Sequence, residues 1–134
     1  MLIPAGNDRV WAHDSGGDGV PVVLLHPGIA DSTIWDAMLA HLGDQRVIRF
    51  DRRGYGQSPP ASEDYRPLDD LVTVLDHFDV QRAHLVGNSM GGDSGLALAV
   101  VAPERVVTMT LLCPAIGGYP WPEPSPEDLE VYAE

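Results

Sequence analysis

The chain has 134 residues, 44% hydrophobic and 21% charged, enough for one domain with a core of its own. Eight arginines, no lysine and twenty carboxylates give a formal net charge of −12, which argues against nucleic acid or an anionic membrane surface as partner. A single cysteine rules out an internal disulfide, no spaced Cys/His pairs suggest a metal site, and no apolar run is long enough to span a bilayer.

"DRVWAHD" (8–14) predicts an edge strand, followed by the turn "SGGDG". "VPVVLLH" (20–26) is a continuous apolar run, as expected of a strand covered on both faces. "DSTIWDAMLAHLG" (31–43) predicts a helix capped by Asp31 or Ser32, with Ile34, Trp35, Met38, Leu39 and Leu42 on one face and Gly43 at its end. "RVIRFD" (46–51) reads as a strand and "RRGYGQSPPASEDY" (52–65) as a loop. A helix over 67–78 starts at Pro67, with Asp69 and Asp70 at its positive end and Leu68, Leu71, Val72, Leu75 and Phe78 as its apolar face.

"AHLVGN" (83–88) is a strand, 90–103 a helix of small residues that can pack close to a sheet, and "RVVTMTLLC" (105–113) a further strand. Cys113 ends that apolar run, so it is expected to be a buried structural thiol. Prolines break the pattern from Pro114, and a helix is expected to restart at Ser125. Alternation of strands and helices predicts an α/β fold, a doubly wound and mostly parallel sheet. The expected division is a core over 1–113 and the start of a cap segment over 114–134. With no secretory signal in "MLIPAGNDRVW", the expected location is the cytoplasm.

The chemistry concentrates in Gly87-Asn88-Ser89-Met90-Gly91, a G-x-S-x-G pentapeptide between a predicted strand and a predicted helix. That setting is the one a nucleophile elbow requires: Ser89 is raised on a sharp turn above the sheet edge, beside the positive end of a helix. Gly87 and Gly91 suit it because a Cβ at either place would strike a neighbouring element. Acyl transfer also needs donors for the developing oxyanion. Met90 N–H is one candidate. The loop "HPGIADS" supplies the other: Pro27 has no N–H, which leaves Gly28, the favoured residue, and Ile29. His26 sits in that loop and is read as a structural hydrogen-bonding residue.

These motifs, "VVLLHPGIADSTIWD", "VIRFDRRGYGQS", "AHLVGNSMGG" and "PERVVTMTLL", resemble in order those of the α/β-hydrolase superfamily, over about Asp8 to Cys113. The resemblance implies Ser89 as nucleophile, an oxyanion hole from Met90 and the 28–29 region, and a structural role for the arginines of the Asp-x-Arg-Gly-x-Gly-x-Ser loop, with Arg53 tying that loop to neighbouring backbone. Pro27 departs from the glycine of many relatives. Family members are about twice as long, with a triad acid and then a histidine late in the chain. No triad partner is identified here. His13 lies on a peripheral strand, His41 and His77 on helix surfaces, and His84 at the wrong end of the strand leading to Ser89. Glu123 is the first carboxylate after the last strand and a candidate for the acid.

The expected function is therefore hydrolysis of small-molecule esters, lactones or related acyl compounds, without metal or organic cofactor. The chain is expected to be the N-terminal half of such an enzyme and nearly inactive alone, since loss of a triad base costs about a million-fold in turnover. A second copy or a complementing C-terminal half would be its macromolecular partner. Two alternatives stand beside this: a C–C bond hydrolase of ring-cleavage products, suggested by "GNSMGG", and a non-catalytic binding domain that keeps the fold.

Overall fold

The structure is a computed structural model and describes residues 1–120. Among these residues six strands form one sheet in the order β1-β2-β4-β3-β5-β6: β1 Leu2–Ala5, β2 Asp8–Asp14, β3 Val22–Leu25, β4 Val47–Asp51, β5 Ala83–Asn88 and β6 Val106–Leu112. The pairs β3–β4, β3–β5 and β5–β6 are parallel, and β1–β2 and β2–β4 are antiparallel. This is an α/β fold with a mixed, mostly parallel sheet.

Side chains alternate between the two faces with the strand period of two. Val23, Leu25, Ile48, Phe50, Ala83 and Leu85 join one buried cluster with Leu71, Val74 and Leu75 of α2 (Pro67–His77) and Leu98 of α3 (Met90–Val101). On the other face Leu24 and Val47 pack with Trp35, Met38, Leu39 and Leu42. Helical chain therefore covers both faces, as the continuous apolar runs require.

Several expectations need correction. β2 is not an edge strand: it lies between β1 and β4. β1 precedes it in a hairpin, and its signal is masked by Pro4, which an edge strand tolerates because one side needs no ladder donor. The helix expected over 31–43 is a 3-10 turn, Ser32–Trp35, followed by the single α-turn α1, Asp36–Leu39. Asp31 does cap it, accepting from Thr33 N–H. The backbone bonds His41 N–H to Met38 and Leu42 N–H to Leu39 then span three residues, so the segment continues as tight turns. Cys113 is exposed, not buried, because β6 is the last strand of the described sheet and carries no neighbour on its outer side. The expected helix at Ser125 and the carboxylate Glu123 lie outside the described residues.

Candidate active site

Parallel pairing of β3 with β5 runs from Val22–His84 to Leu25–Gly87, so both strands finish at the same edge of the sheet. The loop after β3 and the turn after β5 therefore meet there, outside the carboxyl ends of the strands, where α/β sheets bind ligands. Ser89 occupies this turn at φ 50° and ψ −117°, a left-handed φ that costs a non-glycine residue about 1–3 kcal/mol. The surrounding backbone holds it there. Ser89 N–H donates to Leu112 C=O at 3.0 Å, and Ser89 C=O accepts from Asp93 N–H at 3.1 Å and Ala115 N–H at 3.0 Å.

The flanking glycines are required by contact. A Cβ on Gly87 would stand 2.8 Å from Gly91 O and Gly92 Cα, and one on Gly91 would fall onto the carbonyl of Leu25. Gly92, which the sequence reading passed over, is pressed against Pro114: its Cβ would lie 2.7 Å from the proline ring. Each close approach draws α3 against the ends of β3 and β5 and fixes the direction of the turn. Asn88 closes β5 opposite Leu112 and is half-buried.

On the β3 side, His26 is 1% exposed and both ring nitrogens are used. Arg52 N–H donates to Nε2 at 3.0 Å, so the proton sits on Nδ1, which donates to Pro27 C=O at 2.8 Å. Burial pushes the His26 pKa below its ordinary value, against the backbone bond to Pro27, so the ring stays neutral. His26 is thus a stitch between two loops and not a free base.

Gly28 lies beside Met90: the Met90 Sδ fills the space a Cβ on Gly28 would need. The N–H groups of Gly28 and Ile29 make no hydrogen bond among the described residues. Met90 N–H, at the first position of α3, is one of the donors a helix leaves unpaired. Gly28 and Met90 are thus brought together, whereas the Ile29 side chain projects into solvent at 97% exposure.

The loop after β4 supports this edge. Asp51, 2% exposed, accepts from Ser32 N–H at 2.8 Å and Gln57 N–H at 2.9 Å. Arg53 bridges Asp70, at 2.9 Å, and Asp8, also at 2.9 Å, beneath the ring of Tyr65. Burial raises the Asp70 carboxyl above the usual range, with Arg53 pulling the other way. Arg53 is structural as expected, but its partners are not neighbouring backbone: they are two carboxylates 17 and 45 residues away in the chain.

The remaining histidines stand apart. His84 pairs with Val22 at the far end of β5 and bonds Thr108 Oγ1 at 2.7 Å. His13, His41 and His77 are exposed. Among the described residues no histidine hydrogen-bonds Ser89, no cluster of three or more His, Cys, Asp or Glu could hold a metal, and no helix is long and apolar enough to cross a membrane.

A parallel sheet edge carrying a strained serine at a strand–helix turn, with unpaired backbone donors on both sides, defines the class of α/β hydrolases. The chain belongs to the α/β hydrolase fold family, whose model matches residues 21–134. It is 38% identical over 126 residues to a 2-hydroxymuconate semialdehyde hydrolase from Pseudomonas sp. (strain CF600), covering 88% of this chain and 44% of that protein. Among solved structures it is similar to Est816, described as an N-acyl homoserine lactone degrading enzyme, at TM-score 0.78 and 32% identity over 85% of this chain and 45% of that one. It is also similar to the meta-cleavage product hydrolase CumD, at TM-score 0.71 and 32% identity over 81% and 43%. The chain thus spans less than half the length of these relatives.

Proposed function

We propose that this chain carries the nucleophile and oxyanion hole of a serine hydrolase acting on small-molecule esters, lactones or related acyl compounds. The observation that carries the reading is Ser89 itself, held at φ 50° by three backbone hydrogen bonds. An inert fold would gain nothing from retaining that strain. Ser89 Oγ attacks the carbonyl carbon, and the oxygen's developing charge is met by the N–H groups of Met90 and Gly28. Collapse expels the leaving group and leaves an acyl-enzyme, which water then cleaves.

Attack requires a base to take the Ser89 proton. His26 is committed on both nitrogens, so the base and its orienting acid are assigned to sequence beyond the described residues. Relatives more than twice as long support that assignment. In the chain alone, the oxyanion hole and binding would leave about 10³–10⁴ over water.

A second reading is cleavage of a C–C bond in ring-cleavage products, by the same attack on a ketone carbonyl. The similarity to a 2-hydroxymuconate semialdehyde hydrolase and to CumD favours it. A fluorophosphonate probe on the full-length gene product tests both together. Labelling that disappears in Ser89→Ala is expected. Unchanged labelling in that variant, or none in the parent protein, would leave a non-catalytic binding domain. Turnover of an ester against that of a meta-cleavage product then separates the two hydrolase readings.

A further inference from the structure

Arg52 is 3% exposed, yet its Nε and Nη2 have no hydrogen-bond partner among the described residues. The contrast with Arg53, one position on, is sharp: Arg53 holds two carboxylates. Among the described residues Arg52 forms no ion pair, although Asp70 Oδ2 is itself buried without a partner. Asp51 accepts from Ser32 and Gln57, and Asp31 accepts from Thr33. What Arg52 does touch is aromatic: its guanidinium lies 4.9 Å from the centre of the Tyr55 ring. A buried cation without an anion is among the costliest arrangements a fold can hold, so an anion that completes it binds with a large gain.

The position of this charge is informative. Arg52 Nη2 lies 3.8 Å from where a Cβ on Gly28 would stand, on the side that Met90 Sδ also occupies. The unpaired cation therefore flanks the residue offered as oxyanion donor. Nε and Nη2 form the side-on edge of the guanidinium, which takes both oxygens of a carboxylate at once. Met90 is 42% exposed, and a flexible thioether of that kind can swing aside to admit a ligand.

We propose that Arg52 is the specificity-determining cation of this site, and that its substrates are acyl compounds with a carboxylate a few bonds from the scissile carbonyl. The carboxylate docks on Nε and Nη2 while the carbonyl oxygen faces the N–H groups of Gly28 and Met90. This rests on the hydrolase reading and adds the substrate's charge to it.

The test compares mono-p-nitrophenyl succinate with p-nitrophenyl butyrate, acyl groups of matched length with and without a carboxylate, on the full-length gene product. A higher kcat/KM for the succinate is expected. Arg52→Gln should lower it about ten- to hundred-fold, through KM, while leaving the butyrate within about three-fold. Arg52→Lys should restore part of the loss. No preference in the parent protein, or equal losses on both esters, overturns the proposal; the second result makes Arg52 a purely structural residue paired with a protein carboxylate. Should Arg52→Gln fail to fold, the parent protein's preference and the Arg52→Lys ratio decide. Should neither ester turn over, the hydrolase reading is what has failed. Calorimetric titration with succinate then decides for Arg52: saturable binding that Arg52→Lys weakens supports the anion site, and no binding overturns it.

Discussion

Ser89 is held in a conformation that serine resists, and the residue's own stability cost follows from that. Its φ of 50° carries strain of about 1–3 kcal/mol, which glycine would not feel. Glycine gives back about 0.4–1 kcal/mol through the greater freedom of the unfolded chain. The Ser89 side chain makes no hydrogen bond among the described residues, so nothing else is lost. Ser89→Gly is therefore expected to raise unfolding stability by roughly 0.5–2 kcal/mol while abolishing probe labelling. Urea unfolding measures it, and a variant less stable than the parent would show that the turn is unstrained. The serine was legible in the sequence because a pentapeptide fell between two periodic runs. Arg52 was not: the resemblance gives the arginines of this loop a structural role, and only the lack of hydrogen-bond partners for its Nε and Nη2 among the described residues, in a buried place, marks it out.

At the scale of elements, His26 joins the end of β3 to the end of β4 through Arg52 N–H and Pro27 C=O. Burial lowers its pKa from the ordinary 6.5. The unfolded chain then binds a proton more readily than the folded one, so this contribution is present in full above pH 6.5 and is lost as pH falls through the folded value. His26→Phe leaves the buried Arg52 N–H unpaired, at about 1–3 kcal/mol, and Pro27 C=O with only its 3.5 Å bond from Ala30 N–H, and should remove this part of the acid sensitivity. Denaturant unfolding at neutral pH and near pH 5 gives both quantities: a lower stability at neutral pH and a flatter pH dependence. An unchanged pH slope would assign the acid sensitivity elsewhere. Such a stitch could not be read from sequence, since its ends are 26 residues apart. β3, β4, β5, β6, α2 and α3 were legible from apolar periodicity, which reports burial directly. β1 was hidden by Pro4, and the helix expected over 31–43 fails because apolar spacing shows which face is buried, not whether bonds close over three residues or four.

For the whole molecule, two long-range features oppose each other. β6 is the last strand of the described sheet and pairs only with β5, so one row of its backbone groups lacks a ladder partner. Apolar side chains gather around it: Val107 is 40% exposed, Leu112 45% and Ile116 45%, with Val100 and Val101 of α3 at 80% and 64%. Such an edge favours pairing with another strand, from a second copy or from a complementing polypeptide. Against this stands the formal net charge of −12, which repels like copies at low ionic strength. Repulsion between exposed charges fades once the Debye length falls to about 10 Å, near 0.1 M salt, while strand pairing and apolar burial persist. The 134-residue chain is therefore expected to be mostly monomeric in dilute salt and to associate progressively as salt is raised. Sedimentation velocity across a salt series measures this. Val107→Lys, which places a cation on the exposed edge, should shift the midpoint to higher protein concentration at a given high salt. Association that weakens as salt rises would assign the contact to charge pairing and remove the edge strand from the explanation.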